Sequence, residues 1–155
     1  MEISVRNVPS KIKLRTVRSV VNFCDKEIFS RQLSENISLK IIFDKEVCEK
    51  AYGRIYHFHD EYPPRTFEIY LNPIYSRDDI ICTIPHEMAH MHQHATLRWY
   101  FYERDEGMTR WKTRKYKFIQ NNDKPWEIEA YAVEDRIIAK LKHLEETDPV
   151  AFNAL

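Results

Sequence analysis

Apolar residues at Leu14, Val17, Val21, Cys24, Ile28 and Leu33 recur near the helical period, with charged residues between them. That spacing predicts an amphipathic helix over 13–34, ending at Ser34-Glu35-Asn36. The period then changes from helical to two. Residues 38–44 place Leu39, Ile41 and Phe43 on one face. Residues 52–59 place Tyr52, Tyr56 and Phe58 on one face and Ile55, His57 and His59 on the other. Residues 66–71 align Phe67, Ile69 and Leu71. Alternation with β-branched and aromatic content predicts three strands, and Tyr62-Pro63-Pro64-Arg65 breaks the chain before the third. Their short connections suggest antiparallel pairing.

A second helix is expected from Ser76 to about Leu97, with Ser76-Arg77-Asp78-Asp79 as its cap and acidic first turn. Pro85 lies inside it, so a kink or a fresh start is expected just before His86. Residues 99–124 read as an irregular or partly structured connecting segment rich in aromatic and basic residues. Asp123-Lys124-Pro125 then opens a last helix over about 126–144, whose buried stripe is Ala130, Val133, Ile137, Leu141 and Leu144. The predicted order is helix, three strands, helix, helix. It describes one α+β domain over 1–155, with a small, mostly antiparallel sheet.

Composition narrows the function. Lys plus Arg and Asp plus Glu are balanced at 24 each, so any attraction to nucleic acid or membrane must come from a local patch. Only two glycines occur in 155 residues, which excludes glycine-rich phosphate loops. Cys24, Cys48 and Cys82 form no CxxC pair and read as reduced thiols. With no signal-like N-terminus and no apolar run long enough to span a bilayer, the expectation is a cytoplasmic protein without a membrane partner.

The chemistry concentrates in His86-Glu87-Met88-Ala89-His90. Residues four apart share one helix face, so His86 and His90 can aim imidazole nitrogens at one metal ion. Glu87 lies about 100° around the helix, where it can reach a metal-bound water but not the ligand position. This is the mechanical content of HExxH, two ligands and a general base. A catalytic zinc needs a third ligand and an open position. His92 faces away, and His94 stands about 12 Å along the axis from His86. His57 and His59 read as a polar sheet face. On the last helix Glu127 and Glu129 both lie about 80° from the buried stripe, on opposite flanks. Glu129 shares its flank with Arg136 and Lys140 and reads as solvent-facing. Glu127 shares its flank with Tyr131, Glu134 and Ile138, which makes it the better ligand, with Glu134 behind it as a supporting carboxylate.

HExxH followed by Glu127-Ile128-Glu129-Ala130 on a later helix resembles the gluzincin type of metallopeptidase. The element order is similar to the minimal zincin core of small ImmA/IrrE-like peptidases. The stretch Thr83 to Gln93 resembles the HEMxHxxQ stretch of small phage and SprT-like proteins. The resemblance spans roughly 38–144. It implies a zincin-like fold, one catalytic Zn2+ held by His86, His90 and Glu127, Glu87 as catalytic base, and a protein or peptide substrate, in the host cytoplasm if the chain is phage-encoded. The chain departs from the metzincin continuation, with Gln93 and Thr96 at its Gly and third-ligand positions, and carries Tyr131 after Ala130. Tyr131, His94 and His57 are candidates to stabilise the oxyanion, with Tyr131 taken as catalytic.

Residues 109–118 carry five basic groups, Arg110, Lys112, Arg114, Lys115 and Lys117, interleaved with Trp111, Tyr116 and Phe118. That mixture suits phosphate contacts and base stacking, or else a solvated amphipathic hairpin. The alternatives to a peptidase are therefore a zincin-fold binding module for nucleic acid or protein, and a protein with a purely structural metal.

Overall fold

In a computed structural model the described residues are 1–58, 62–101, 108–117 and 123–148. Strand β1 (Glu2–Arg6) leads into helix α1 (Leu14–Ile28) and the short α2 (Arg31–Ser34). Then come β2 (Ser38–Phe43), the single turn α3 (Lys45–Cys48), β3 (Gly53–His57) and β4 (Thr66–Leu71). Helix α4 (Arg77–Ala95) is followed by β5 (Trp99–Phe101), β6 (Met108–Trp111) and β7 (Arg114–Lys117), and α5 (Pro125–Thr147) is the last described helix.

The α+β class is as expected, but the sheet is not. It has four strands in the order β1-β2-β4-β3, and two of its three pairings are parallel. The N-terminal segment is a full edge strand, with Val5 beside Ile41. β3 forms a hairpin with β4 but takes the outer position, so β2 and β4 become parallel neighbours, with Leu39 beside Phe67 and Ile41 beside Ile69. Short connections do not by themselves dictate antiparallel order, because the turn of α3 lets the chain pass over β4's place before returning to it. The alternation itself holds. Leu39, Ile41, Phe43, Phe67, Ile69 and Leu71 are all buried, packed with Val17, Val21 and Cys24 of α1 and with Ile80, Ile84, Met88 and Met91 of α4.

The helix expected over 13–34 is broken in two. Phe29 caps α1 through its N–H to Asp25 O, and Ser30 starts α2 by accepting from the Leu33 N–H at 3.3 Å. A buried Phe29 fixes the direction change. α4 instead runs unbroken through Pro85. Its start is a closed capping box, in which Ser76 Oγ accepts from Asp79 N and Asp79 Oδ2 accepts from Ser76 N, both at 3.1 Å. Pro85 is buried against the core, so tertiary packing holds a helix that has lost one backbone hydrogen bond.

The segment 99–124 is more regular than its irregular reading, and the hairpin reading of 109–118 corresponds to β6 and β7. β5, β6 and β7 form a second, antiparallel sheet. It is organised by a separate small core of Trp99, Trp111 and Trp126, with Tyr116 packed against it. No helix among the described residues is long and apolar enough to cross a membrane.

Candidate metal centre

α4 packs along α5, which brings the two helical motifs together. Nε2 of His86 and Nε2 of His90 lie 3.2 Å apart. Oε2 of Glu127, in the first turn of α5, lies 3.4 Å from each of them. Among the described residues this is the one group of three His, Cys, Asp or Glu side chains that could hold a metal ion. Glu129, its rival on the same helix, turns elsewhere and pairs with Arg98.

The other ring nitrogens decide the tautomers. His86 Nδ1 faces Glu134 Oε2 at 3.1 Å, and His90 Nδ1 faces Gln93 Oε1 at 2.8 Å. The Gln93 amide is oriented in turn, because its Nε2 donates to the Trp126 carbonyl at 3.0 Å. Both acceptors call for a proton on Nδ1, so each neutral ring keeps a lone pair on Nε2. Three lone-pair donors then converge with no hydrogen among them, which is an arrangement that needs a cation or a proton at its centre.

The electrostatics follow from this. Burial pushes the His86 imidazole down, but the Glu127 and Glu134 carboxylates outweigh it and bring its pKa up to about 9. Burial likewise opposes ionisation of Glu127, yet the two imidazoles win and lower it to about 2. Glu87 is different. It is 6 % exposed, and burial raises its pKa despite the neighbouring histidines. A carboxyl held above its ordinary range beside an acceptor-rich centre is suited to taking up and returning a proton.

These groups line a cleft of about 570 Å³ between the β3 edge on one side and α4 and α5 on the other. Its lining includes His86, Glu87, His90, Glu127, Tyr131 and Glu134. Tyr131 is 41 % exposed, with its ring 4.7 Å from that of His86, and burial together with Glu127 raises its phenol pKa. His94 also lines the cleft but is not among the three converging donors. It stacks on Trp99 at 4.5 Å and contacts His57 at 4.7 Å, and burial holds its pKa well below the ordinary value. His57 is half-buried, with its ring beside those of His94 and Phe67, while His59 lies outside the described residues. His92 points away from the centre, onto Phe29.

Three residues at the centre drew no role from the sequence. Gln93 stood out as the last residue of the HEMxHxxQ stretch and as a departure from another family's glycine, but with no role, although an amide three positions after His90 is placed to reach its ring. Trp99 packs its ring 5.1 Å from that of His90, and its Nε1–H donates to Thr109 Oγ1 at 2.9 Å. Gly53 on β3 lies against Glu87, a contact with no local signal.

The basic segment is reorganised by the second sheet. Lys112, Arg114, Lys115 and Lys117 are exposed, and Arg110 is half-buried. Trp111 is buried, which removes its ring from base stacking, and the half-buried Tyr116 packs edge-on against Trp126 at 5.7 Å. Phe118 lies outside the described residues. No family model, curated protein or solved structure matches this chain.

Proposed function

We propose that this chain is a zinc-dependent metallopeptidase, with His86, His90 and Glu127 as ligands and Glu87 as general base. The supporting observation is the triangle of 3.2, 3.4 and 3.4 Å formed by the three donor atoms. Ligands at about 2.0–2.1 Å from a tetrahedral zinc stand about 3.3–3.4 Å apart. Three protein donors of this kind, two imidazoles and a carboxylate, leave the fourth position open for chemistry. The bound ion supplies Lewis acidity and a water of lowered pKa.

The chain's own residues do the rest. Glu87 takes the proton of the attacking water and passes it to the leaving amine. Tyr131, on the lip of the cleft beside His86, donates to the carbonyl oxygen as charge develops there. Glu134 and Gln93 hold the two imidazoles in the ligating tautomer. β3 positions the peptide. The Asn72 N–H donates to Tyr52 O at 2.9 Å, and this pair continues the β3–β4 register. By antiparallel alternation Arg54 and Tyr56 bond to β4, while Gly53 and Ile55 direct their N–H and C=O along the outer edge. That edge borders the cleft, so an extended peptide can add to it as a further strand.

The test is Glu87→Gln. Under this reading the variant keeps its zinc and loses about 10²–10⁴ of its turnover of labelled casein. Unchanged turnover rules out the base. A purely structural metal predicts a protein with zinc and no turnover in either form. The nucleic-acid reading is left with phosphate contacts from the exposed lysines and arginines of β6–β7. Retention on DNA that falls steeply with salt would favour it.

A further inference from the structure

We infer that Gly53 is a positioning residue for Glu87, a role that rests on the peptidase reading of this site. Gly53 is one of only two glycines in the chain. Its backbone is ordinary strand, without the left-handed φ that would itself demand glycine. The demand is for space. A Cβ built on Gly53 would stand 2.7 Å from Thr83 Cγ2, 2.9 Å from Glu87 Oε1 and 3.1 Å from Glu87 Cγ. The base and the strand therefore touch through the place where any other residue carries its side chain. Glycine in a strand is the usual mark of such a close approach.

Gly53 also directs its N–H and C=O along the outer edge of β3, where the peptide is proposed to pair. One residue thus sets the distance between the peptide's backbone and the carboxylate that must reach its water. A methyl group at 53 meets two groups at once, and both must give. The Thr83 methyl has to shift, and the Glu87 carboxylate, the free end of a flexible side chain, has to swing aside. The second movement takes the base from its working position while the fold persists, and it is required even where the Thr83 methyl is absent. The metal ligands are untouched, because His86 and His90 project from other positions on α4.

The experiment compares zinc-loaded wild type, Gly53→Ala and Gly53→Ala/Thr83→Ser, the double variant removing the closest contact while leaving the one to Glu87. The readouts are zinc content, the d–d absorption of the cobalt(II) forms, which reports the surroundings of the open coordination position, and kcat and KM on labelled casein. Both variants are expected to keep wild-type zinc content, to show altered cobalt bands, and to lose about 100-fold in kcat with little change in KM, the cost of a misplacement on the order of 1 Å. A double variant with wild-type cobalt bands and kcat would overturn the inference, since crowding at Thr83 would then explain the glycine. Loss of zinc from both variants would overturn it too, by showing that Gly53 supports the ligands instead. If wild type cleaves nothing, the peptidase reading fails, and the cobalt bands alone still decide whether Gly53 sets the position of Glu87.

Discussion

With both rings neutral, His86 and His90 turn the lone pairs of their Nε2 atoms towards each other. Their Nε2 atoms are 3.2 Å apart, and each ring's proton is claimed on the opposite side, by Glu134 and by Gln93. Two lone pairs at this distance repel unless something positive stands beyond them, and Glu127 closes the ring of donors. Purified protein dialysed against dilute zinc is therefore expected to retain the metal. His90→Ala and Glu127→Ala are each expected to weaken zinc binding by more than the roughly 10–100-fold loss found for outer-shell partners. Competition with a chromophoric chelator measures this, and a Glu127→Ala variant binding zinc like wild type would remove Glu127 from the ligand set.

Gln93 is fully buried and bonded at both ends of its amide. Gln93→Leu keeps the volume but strands the His90 Nδ1–H, while the Trp126 carbonyl keeps its donor within α5. A loss of about 1–3 kcal/mol is expected for the one buried group left unsatisfied. Urea denaturation in the presence of a chelator reads this without the metal. Glu134→Gln keeps an acceptor for His86 and is expected to be milder, and zinc titration of the two variants ranks them.

Tyr131 stands on the lip of the cleft beside His86 without belonging to the ligand triangle. Tyr131→Phe is expected to leave zinc content unchanged and to lower kcat by about 10²–10³, the usual consequence of removing one donor to a developing oxyanion. Unaltered kcat would show that the phenol has no part in the reaction.

The metal-free chain carries its own pH signature. His86 rises from 6.5 to about 9, so the stability it contributes is complete below pH 6.5 and lost as pH rises through 9. Glu127 falls from 4.5 to about 2, so its contribution is complete above pH 4.5 and lost as pH falls through 2. Thermal melts in chelator are expected to show this pair contributing most between pH 4.5 and 6.5. Zinc needs the neutral ring, so loading at pH 7 must expel the His86 proton, and affinity is expected to climb with pH up to about 9. Calorimetry in buffers of different ionisation enthalpy counts the released proton. A titration that releases none would mean the ring is already neutral.

Trp111 belongs to the core of the second sheet, not to a recognition surface. Trp111→Ala is expected to cost about 3–5 kcal/mol, the range for large aromatic truncations. Neutralising the exposed Arg114, Lys115 and Lys117 is expected to change stability by no more than about 0.5 kcal/mol each. Denaturation curves separate the two effects.

The parts of this picture that were legible in the sequence are those written in local period. The face shared by His86 and His90 follows from their spacing of four. Glu127 over Glu129 followed from helix phase, and the capping box at Ser76 from three adjacent residue types. What could not be read was the choice of partners. The side-chain alternation of β2 and β4 says which face is buried but not which strand lies beside which, so their parallel pairing and the outer place of β3 were missed. The same blindness left the second sheet at a bare hairpin over 109–118 and hid its third strand and its core, because the strands have three or four residues and the stabilising tryptophans come from β5, β6 and α5. Gly53 carries no signal at all until β3 is laid against α4.

All three tryptophans of the chain, Trp99, Trp111 and Trp126, are gathered into one cluster, and Trp99 touches the ring of a metal-binding candidate, His90. The tryptophan emission of the whole protein therefore originates within one or two side chains of the centre. Loading with a quenching ion such as copper(II) or cobalt(II) should dim it in proportion to occupancy, so the protein carries a built-in optical gauge of its own metal content.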